Sequence, residues 1–526
     1  MSFGNIESSH IATTSYSYIY AKKGFISRFI SLDDFGTLFF LNKMLERIIM
    51  RSRIIFKILF VTAGVALALY CLSSIYFYYQ EKPEADMQLP SLPIVQKETR
   101  LLVIAPHCDD EALGCGGMIH DVIQAGGQVL VVVMTNGDGF TIATEEEFHR
   151  LFLTRADYVN SGYTRQKETI QALQLLGLPE KQILFLGYPD RGLDHLWKDN
   201  WNKDQPYQSR YTGSDHSPYN NSYQKNAPYA GQAVLDNLEQ IMLTFKPNVI
   251  AAPHPADEHP DHAAGWAFAA ASIAKLSSSG RISGVHLYTY LVHRRDFPIP
   301  HGYKTDALLL PPRPLYQAQH SKWLTYPIDS DTEVIKEQSI KKYVSQTKVP
   351  IMSSLLHSFI RKNELFADPN IPYVAQKPSK SDLASLNAWS NQDPILVNTR
   401  GTSIIGALEY KGKISIIDSY VQGKTIWLHF HIPGFIGRQN QYKVSIVAFG
   451  LQNNKTIREK DTVYFSESDT NLYTDAVIRY QDDVIIKIPL TQIQVPKFFF
   501  IQVVTKNKHR VMIDQTVWQP VFLSKF

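Results

Sequence analysis

Two short polar clusters, far apart in the chain, hold residue types able to bind a divalent metal and to move a proton. The first is His107-Cys108-Asp109-Asp110-Glu111, and the second is His254-Pro255-Ala256-Asp257-Glu258-His259-Pro260-Asp261-His262. In the order His, any residue, Asp, Asp, an imidazole and one carboxylate can bind the ion while the neighbouring carboxylate points elsewhere. Taken alone, Asp109 or Glu111 is explained as a helix cap, because acidic residues at a helix start satisfy free N–H groups and complement the dipole. Capping does not account for a second His and Asp cluster placed in the same way.

Each cluster follows an apolar run long enough for a buried strand, 101–105 and 249–252, and precedes a helical stretch. An open α/β sheet puts its chemistry at the carboxyl ends of its strands, so both clusters are candidates for one site. Strands are expected at 101–105, 128–134, 183–186, 248–252 and 285–291, and helices at 112–125, 164–176, 233–245 and 262–276. This alternation predicts a mostly parallel α/β sheet with helices on both faces, a Rossmann-like layout. Gly114-Cys115-Gly116-Gly117 lacks the dinucleotide spacing and starts seven residues after His107, and the chain has no Walker lysine with its Ser/Thr partner. No nucleotide cofactor is therefore expected, and these glycines read as places where a helix lies close to the sheet.

With these motifs the chain resembles the PIG-L/LmbE-type de-N-acetylases, zinc hydrolases that remove acetyl from N-acetylglucosamine-like sugars. His107 to Glu111 matches the family's His-x-Asp-Asp-Glu motif and His259 to His262 its His-Pro-Asp-His motif. Thr135-Asn136-Gly137, Arg165 with Glu168, Leu186-Gly187 with Asp190, and Tyr343 with Ser345-Gln346 fit weaker family signatures, so the likeness covers roughly 98–367. One departure is Pro106-His107-Cys108, where the family usually reads Ala-His-Pro. The resemblance implies that His107, Asp110 and His262 bind Zn2+, or another divalent transition metal, and leave a position for water. Asp109 is then the general base, and His259 stabilises the oxyanion or protonates the departing amine. Arg165 and Asp190 match positions that hold sugar hydroxyls, Asp257 and Asp261 orient histidines or cap the following helix, and Glu111 caps. The implied function is a zinc-dependent hydrolase that removes acetyl from an N-acetylglucosamine-type sugar in a glycan, glycolipid or glycoside. Two alternatives stand beside it: a non-catalytic glycan-binding membrane protein that keeps the fold, and amide hydrolysis on a non-sugar acyl group. A pure binder has no need of Asp109.

A chain of 526 residues that is 44% hydrophobic can bury more than one core. Its net charge of +4 is small, and no basic arm with interleaved aromatics occurs, so nucleic acid is not an expected partner. The three cysteines, Cys71, Cys108 and Cys115, suggest no disulfide framework. From Ile54 to Tyr79 the chain is apolar or small apart from Lys57, which predicts a transmembrane helix. Lys43, Arg47, Arg51 and Arg53 precede it and Glu81, Glu84 and Asp86 follow. The positive-inside rule then keeps residues 1–53 cytoplasmic and puts the rest on the periplasmic or lumenal side. A cleaved signal peptide at Ala66-Leu67-Ala68, a lipoprotein site at Cys71, disfavoured by Tyr70 in the small-residue position before it, a buried core helix, and a start at Met50 are the other readings. Residues 80–98 read as a tether, 99–367 as the deacetylase-like domain, and 368–395 as a linker. Residues 396–526 read as a sandwich-like β domain with strands at 402–410, 413–419, 425–432, 442–449, 484–488 and 498–504. The aromatic-rich insertion 195–232 is expected either to hold a glycan or to pack over the domain. Arg294 and Arg295 read as a surface salt bridge or a contact to an anionic substrate group, and 332–346 and 351–366 as closing helices.

Overall fold

The computed structural model describes residues 35–84, 86–93, 95–148, 152–318, 321–390, 393–398, 412–435, 439–453, 455–466 and 477–523. The strand expected at 402–410 lies outside them. The chain divides into two units, Met1–Ile75 and Tyr76–Phe526. A single helix runs over Phe35–Glu81, and its part Lys57–Glu81, with a mean hydropathy of 2.2, is long and apolar enough to cross a membrane. Its large apolar side chains, Phe60 and Tyr70 among them, are exposed.

The second unit is built on a seven-stranded mixed sheet among the described residues. Its strands are β1 (Arg100–Ala105), β2 (Gln128–Thr135), β3 (Ile183–Tyr188), β4 (Val249–Pro253), β5 (His286–Tyr290), β6 (Ser321–Pro327) and β7 (Asn363–Pro369), in the order β3-β2-β1-β4-β5-β7-β6. The first five pair in parallel, and β7 is antiparallel to both β5 and β6. Side chains alternate across a strand. Leu101 and Val103 therefore enter one apolar cluster and Leu102 and Ile104 another, and both faces are covered. A strand buried on both sides reads as a continuous apolar run.

β6 and β7 are departures from the sequence reading. The helix expected over 351–366 ends at His357, and the residues from Asn363 onward pair in the sheet. The strand is hidden in the sequence because two of its polar residues are buried with partners. Glu364 lies 2.6 Å from the Lys336 ammonium, and Asn363 donates to the Leu309 carbonyl at 3.0 Å. The helix expected at 164–176 starts earlier and runs over Arg155–Leu175, because Thr154 and Asp157 form a capping box at its head. Helix Asp110–Gln124 lies close to the sheet, and a Cβ on Gly114 would meet the Tyr290 ring.

The stretch read as a tether packs against the sheet edge. Leu92 is buried and its N–H donates to the Thr325 carbonyl at 2.8 Å. In the insertion 195–232, Trp197, Tyr219 and Tyr229 are buried over the domain. Residues read as a linker pack too: the Val374 N–H donates to the Phe522 carbonyl, and Trp389 is buried.

The C-terminal region is all β, in two antiparallel sheets. One holds Ile416–Gln422, Thr425–His431 and Asp483–Pro489; the other holds Gln441–Gln452, Lys455–Ser466 and Val495–Lys506. Lys455–Ser466 is not among the expected strands, since its charges mask the alternation; the Glu459 carboxylate accepts backbone N–H groups of Thr491, Gln492 and Ile493. Trp197, Trp266 and Phe268 of the α/β region share a core with Phe449, Phe500 and Trp518, and the Trp266 Nε1–H donates to the Trp518 carbonyl at 3.1 Å.

Candidate active site

β1 and β4 are parallel neighbours, with Leu101 opposite Val249, so the segments that leave their carboxyl ends emerge side by side. His107 to Glu111 leaves β1 and enters helix Asp110–Gln124; His254 to His262 leaves β4 and enters helix Pro260–Ser278. The acidic Asp110 and Glu111 occupy the first helical turn, where the macrodipole favours them.

The structure brings His107, Asp110 and His262 together. His107 Nδ1 and His262 Nε2 stand 3.2 Å apart, and Asp110 Oδ2 lies 3.0 Å from the second and 3.3 Å from the first. Two ligand atoms on a tetrahedral zinc with bonds of about 2.0–2.1 Å are about 3.3 Å apart, so the triangle has the size of one face of such a site. Asp110 Oδ1 is buried with no hydrogen-bond partner, a costly arrangement for a carboxylate oxygen unless something binds it. The donor set and this orphaned oxygen fit a divalent cation.

The supporting groups orient both imidazoles. His107 Nε2 lies 3.3 Å from Asp190 Oδ1 and 3.3 Å from Asp261 Oδ2, which leaves Nδ1 for the triangle. Asp261 also accepts the backbone N–H groups of Arg191 at 2.6 Å and Leu193 at 3.0 Å. His262 Nδ1 lies 3.0 Å from Asp257 Oδ2, and Asp257 accepts the backbone N–H groups of His259, Val292 and His293. Burial pulls the His262 imidazole down, but the Asp110 and Asp257 carboxylates outweigh it and raise it to about 9. Burial also opposes charge on Asp110, yet His262 and His107 hold its carboxyl well below the ordinary range.

Asp109 stands beside the triangle in a strained backbone conformation, φ 134°. Such a conformation costs of order 1–3 kcal/mol and persists only where surroundings impose it. Here the Asp109 carbonyl accepts the N–H groups of Ala112 and Leu113, its own N–H donates to Glu111 Oε2 at 3.2 Å, and its carboxylate takes a 3.1 Å bond from Arg165 Nη2. Burial pushes its carboxyl up to about 6, with Arg165 opposing. Glu111 is more than a cap, since the Tyr343 hydroxyl donates to its other oxygen. Glu168 in turn binds the Ser345 N–H and hydroxyl, each at 2.7 Å.

His259 is the N-cap of helix Pro260–Ser278, and its Nδ1 accepts the Asp261 N–H at 3.2 Å. That bond leaves the proton on Nε2. Burial and the neighbouring imidazoles of His107, His262 and His293 hold His259 well below its ordinary pKa, as a neutral donor.

Arg165 and Asp190, expected at the substrate, both line the 220 Å³ cavity over this cluster, together with Asp109, His259 and Phe140. Arg165 is nonetheless engaged inside the protein: besides Asp109, it donates to the carbonyls of Cys108 at 2.7 Å and Gly137 at 3.0 Å. Asp190 accepts the Gly139 N–H at 2.8 Å. His254 stands apart, stacked on Trp323 with its Nδ1 taking the Ala256 N–H. His195 stacks on Tyr207, and His216 pairs with Asp215 on the surface.

One residue that sequence reasoning passed over is His293. Its Nε2 lies 3.7 Å from Asp110 Oδ1, and the donor atoms of His107, Asp110, His262 and His293 all lie within 4.8 Å of one another. The signal was its position: it follows β5, the parallel neighbour of β4, and obeys the same strand-end rule as the other two clusters.

Residues 102–273 match the family model described as PIG-L, GlcNAc-PI de-N-acetylase, and over that segment the resemblance read from the motifs holds. A 1D-myo-inositol 2-acetamido-2-deoxy-alpha-D-glucopyranoside deacetylase of Mycobacterium sp. (strain KMS) is 32% identical over 167 residues, which is 31% of this chain. The chain spans about half the length of that relative, 46%. Among solved structures, the conserved protein TT1542 from Thermus thermophilus aligns with 22% identity and a TM-score of 0.31, over 52% of this chain and 94% of its own. The N,N'-diacetylchitobiose deacetylase from Pyrococcus horikoshii aligns with 19% identity and a TM-score of 0.31, over 51% of this chain and 84% of its own.

Proposed function

We propose that this chain is a metal-dependent hydrolase, with Zn2+ as its metal, that removes the acetyl group from an N-acetylglucosamine-type sugar, on a Rossmann-like sheet tethered to a membrane. The observation that carries the reading is the triangle of His107, Asp110 and His262 donor atoms with the unspent carboxylate of Asp109 beside it. The match of residues 102–273 to the de-N-acetylase family model supports the same assignment.

His107, Asp110 and His262 would hold the ion and leave a position for water, with the His293 imidazole beside Asp110 Oδ1. When bound, a divalent cation supplies Lewis acidity to the amide carbonyl and to water. Asp109 accepts the proton of the attacking water, for which its carboxylate must be ionised and within hydrogen-bond reach. Arg165 fixes that carboxylate, since its guanidinium grips both the Asp109 side chain and the Cys108 carbonyl. His259 lines the cavity, and its Nε2–H donates to the oxyanion as the carbonyl is attacked. Asp190, which lines the same cavity, holds a sugar hydroxyl. The cavity is smaller than the roughly 300–1,000 Å³ of pockets that enclose a whole ligand, so a single N-acetylated unit enters and the rest of the substrate stays outside.

Lys43, Arg47, Arg51, Arg53 and Lys57 at the front of the apolar helix favour a cytoplasmic N-terminus and an extracytoplasmic catalytic region. Protease protection of the catalytic region in sealed vesicles tests that side.

The decisive experiment is acetate release from a panel of N-acetylglucosamine glycans, glycolipids and glycosides by the full chain in detergent, with and without Zn2+. Zinc-dependent release that disappears in Asp109→Asn is the expected result. Glycan binding without release from any member of the panel, in the wild-type protein, overturns the reading.

A further inference from the structure

The loop that carries His293 is also held by the end of the apolar helix. Glu81, the last residue of helix Phe35–Glu81, is only 1% exposed. Its Oε2 accepts Arg294 Nε at 3.1 Å, and its Oε1 accepts Arg294 Nη2 at 3.4 Å and Arg295 Nη1 at 3.3 Å. Arg294 is itself buried, and Arg295 lies with its Cζ 4.4 Å from the centroid of the Phe77 ring, one turn earlier on the helix. These two arginines follow His293 directly, and Arg295 adopts a left-handed φ of 40°.

A carboxylate in the last turn of a helix opposes the helix dipole, so Glu81 is electrostatically misplaced unless something outside the helix requires it. The two guanidinium groups supply that requirement, because buried cations without a partner are strongly destabilising. The fork geometry of Arg294 on both carboxylate oxygens also gives the contact a direction that a lone ammonium would lack. On the cavity side, the His293 N–H binds Asp257 Oδ2 at 2.9 Å and its carbonyl accepts the Glu258 N–H at 2.7 Å. His293 is thus held through its own backbone by the segment that carries His262, and through the two residues after it by the helix end.

We propose that Glu81 is a positioning residue of the catalytic site: through Arg294 and Arg295 it sets where the His293 imidazole stands beside Asp110. The last turn of the apolar helix is then a working part of the site and not only an attachment. This inference rests on the metal-dependent reading given above.

The test is Zn2+ affinity of the full chain in detergent, read by competition with a chromophoric chelator, so that it does not depend on turnover. Glu81→Gln should weaken binding about tenfold, the lower range for groups that orient metal ligands. Glu81→Asp should recover part of the loss, and Lys82→Ala, a change at the exposed neighbour, should leave affinity unaltered. His293→Ala should weaken binding at least as much as Glu81→Gln, and the double variant should be no weaker than His293→Ala alone, because both act at one point. Arg295→Gln removes one arm of the same link, together with the Arg295 pair to Glu258 at 3.3 Å, and takes the place of Glu81→Gln in the cycle if that variant does not fold. Affinity within twofold of wild type in a folded Glu81→Gln, or losses that simply add in the double variant, overturns the proposal and leaves the metal site standing. Absence of Zn2+ binding by the wild-type protein overturns both.

Discussion

Asp257→Asn puts the second metal-binding segment to a quantitative test, because the substitution changes two terms of opposite sign. In the wild-type protein the His262 imidazole is raised to about 9 by Asp110 and Asp257, against burial. The ring must shed its extra proton before Nε2 can bind an ion. At pH 7, two units below that value, proton competition weakens metal binding about 100-fold, or about 2.7 kcal/mol. Removing the Asp257 charge lets His262 titrate lower, so the variant suffers less competition. The bound imidazole, however, loses the carboxylate that orients it, a loss that typically weakens affinity about 10–100-fold. Wild type should therefore bind Zn2+ about 10–100-fold more tightly above about pH 9, and the gap should narrow steadily toward pH 7. Chelator competition across this range on both proteins, with folding followed by circular dichroism, provides the measurement. Parallel affinity curves, or a gap that widens as pH falls, would refute the reasoning.

Four further outcomes follow from the site and its supports. Asp109→Asn should lower acetate release about 10²–10⁴-fold with Zn2+ affinity nearly unchanged. In the wild-type protein kcat/KM should drop tenfold per pH unit below about 6, because the Asp109 carboxyl, raised by burial, must be ionised to accept a proton; a flat profile from about pH 5 to 7 argues against Asp109 as the base. Gly137→Ala places a methyl group against the Arg165 guanidinium at a residue with φ 66°, and should cost about 1–3 kcal/mol of stability in a thermal melt and release the hold on Asp109, seen as lost activity. Lys336→Met should cost about 3–5 kcal/mol in urea unfolding, since it strands the buried Glu364 carboxylate, and combining it with Glu364→Gln should recover most of that; equal stability of the two variants would contradict the pairing.

The parallel strands β1 to β4 are legible in the sequence because each is largely buried on both faces and reads as an apolar run ending in Gly, Pro or a polar residue. The two polar segments that build the candidate site are legible for a related reason: His and Asp at a strand end interrupt such a run abruptly. β7 is not legible, since Glu364 and Asn363 are polar and acquire their partners only in the folded chain, from Lys336 and the Leu309 backbone. The stretch after the apolar helix carries the Pro and Glu content of a free linker, yet Glu81 and Leu92 are buried, and what buries them comes from residues more than 200 positions away. Arg294 and Arg295 show the same limit: a charged pair on a loop reads as surface, and nothing local says that a helix end lies beneath it. His293 could have been weighed from strand order alone, had the position of β5 beside β4 been known.

The core shared by the two halves of the second unit bears on how the protein fails. His262 begins the same helix that carries Trp266 one turn later, and the Trp266 ring is tied to the Trp518 backbone. Cutting the chain near residue 395 would strip the cover from Trp197, Trp266 and Phe268. A lesion in the last strands therefore does not stay in the last strands: it loosens the rod on which the His262 imidazole is mounted, and heat or denaturant should melt both halves in one transition.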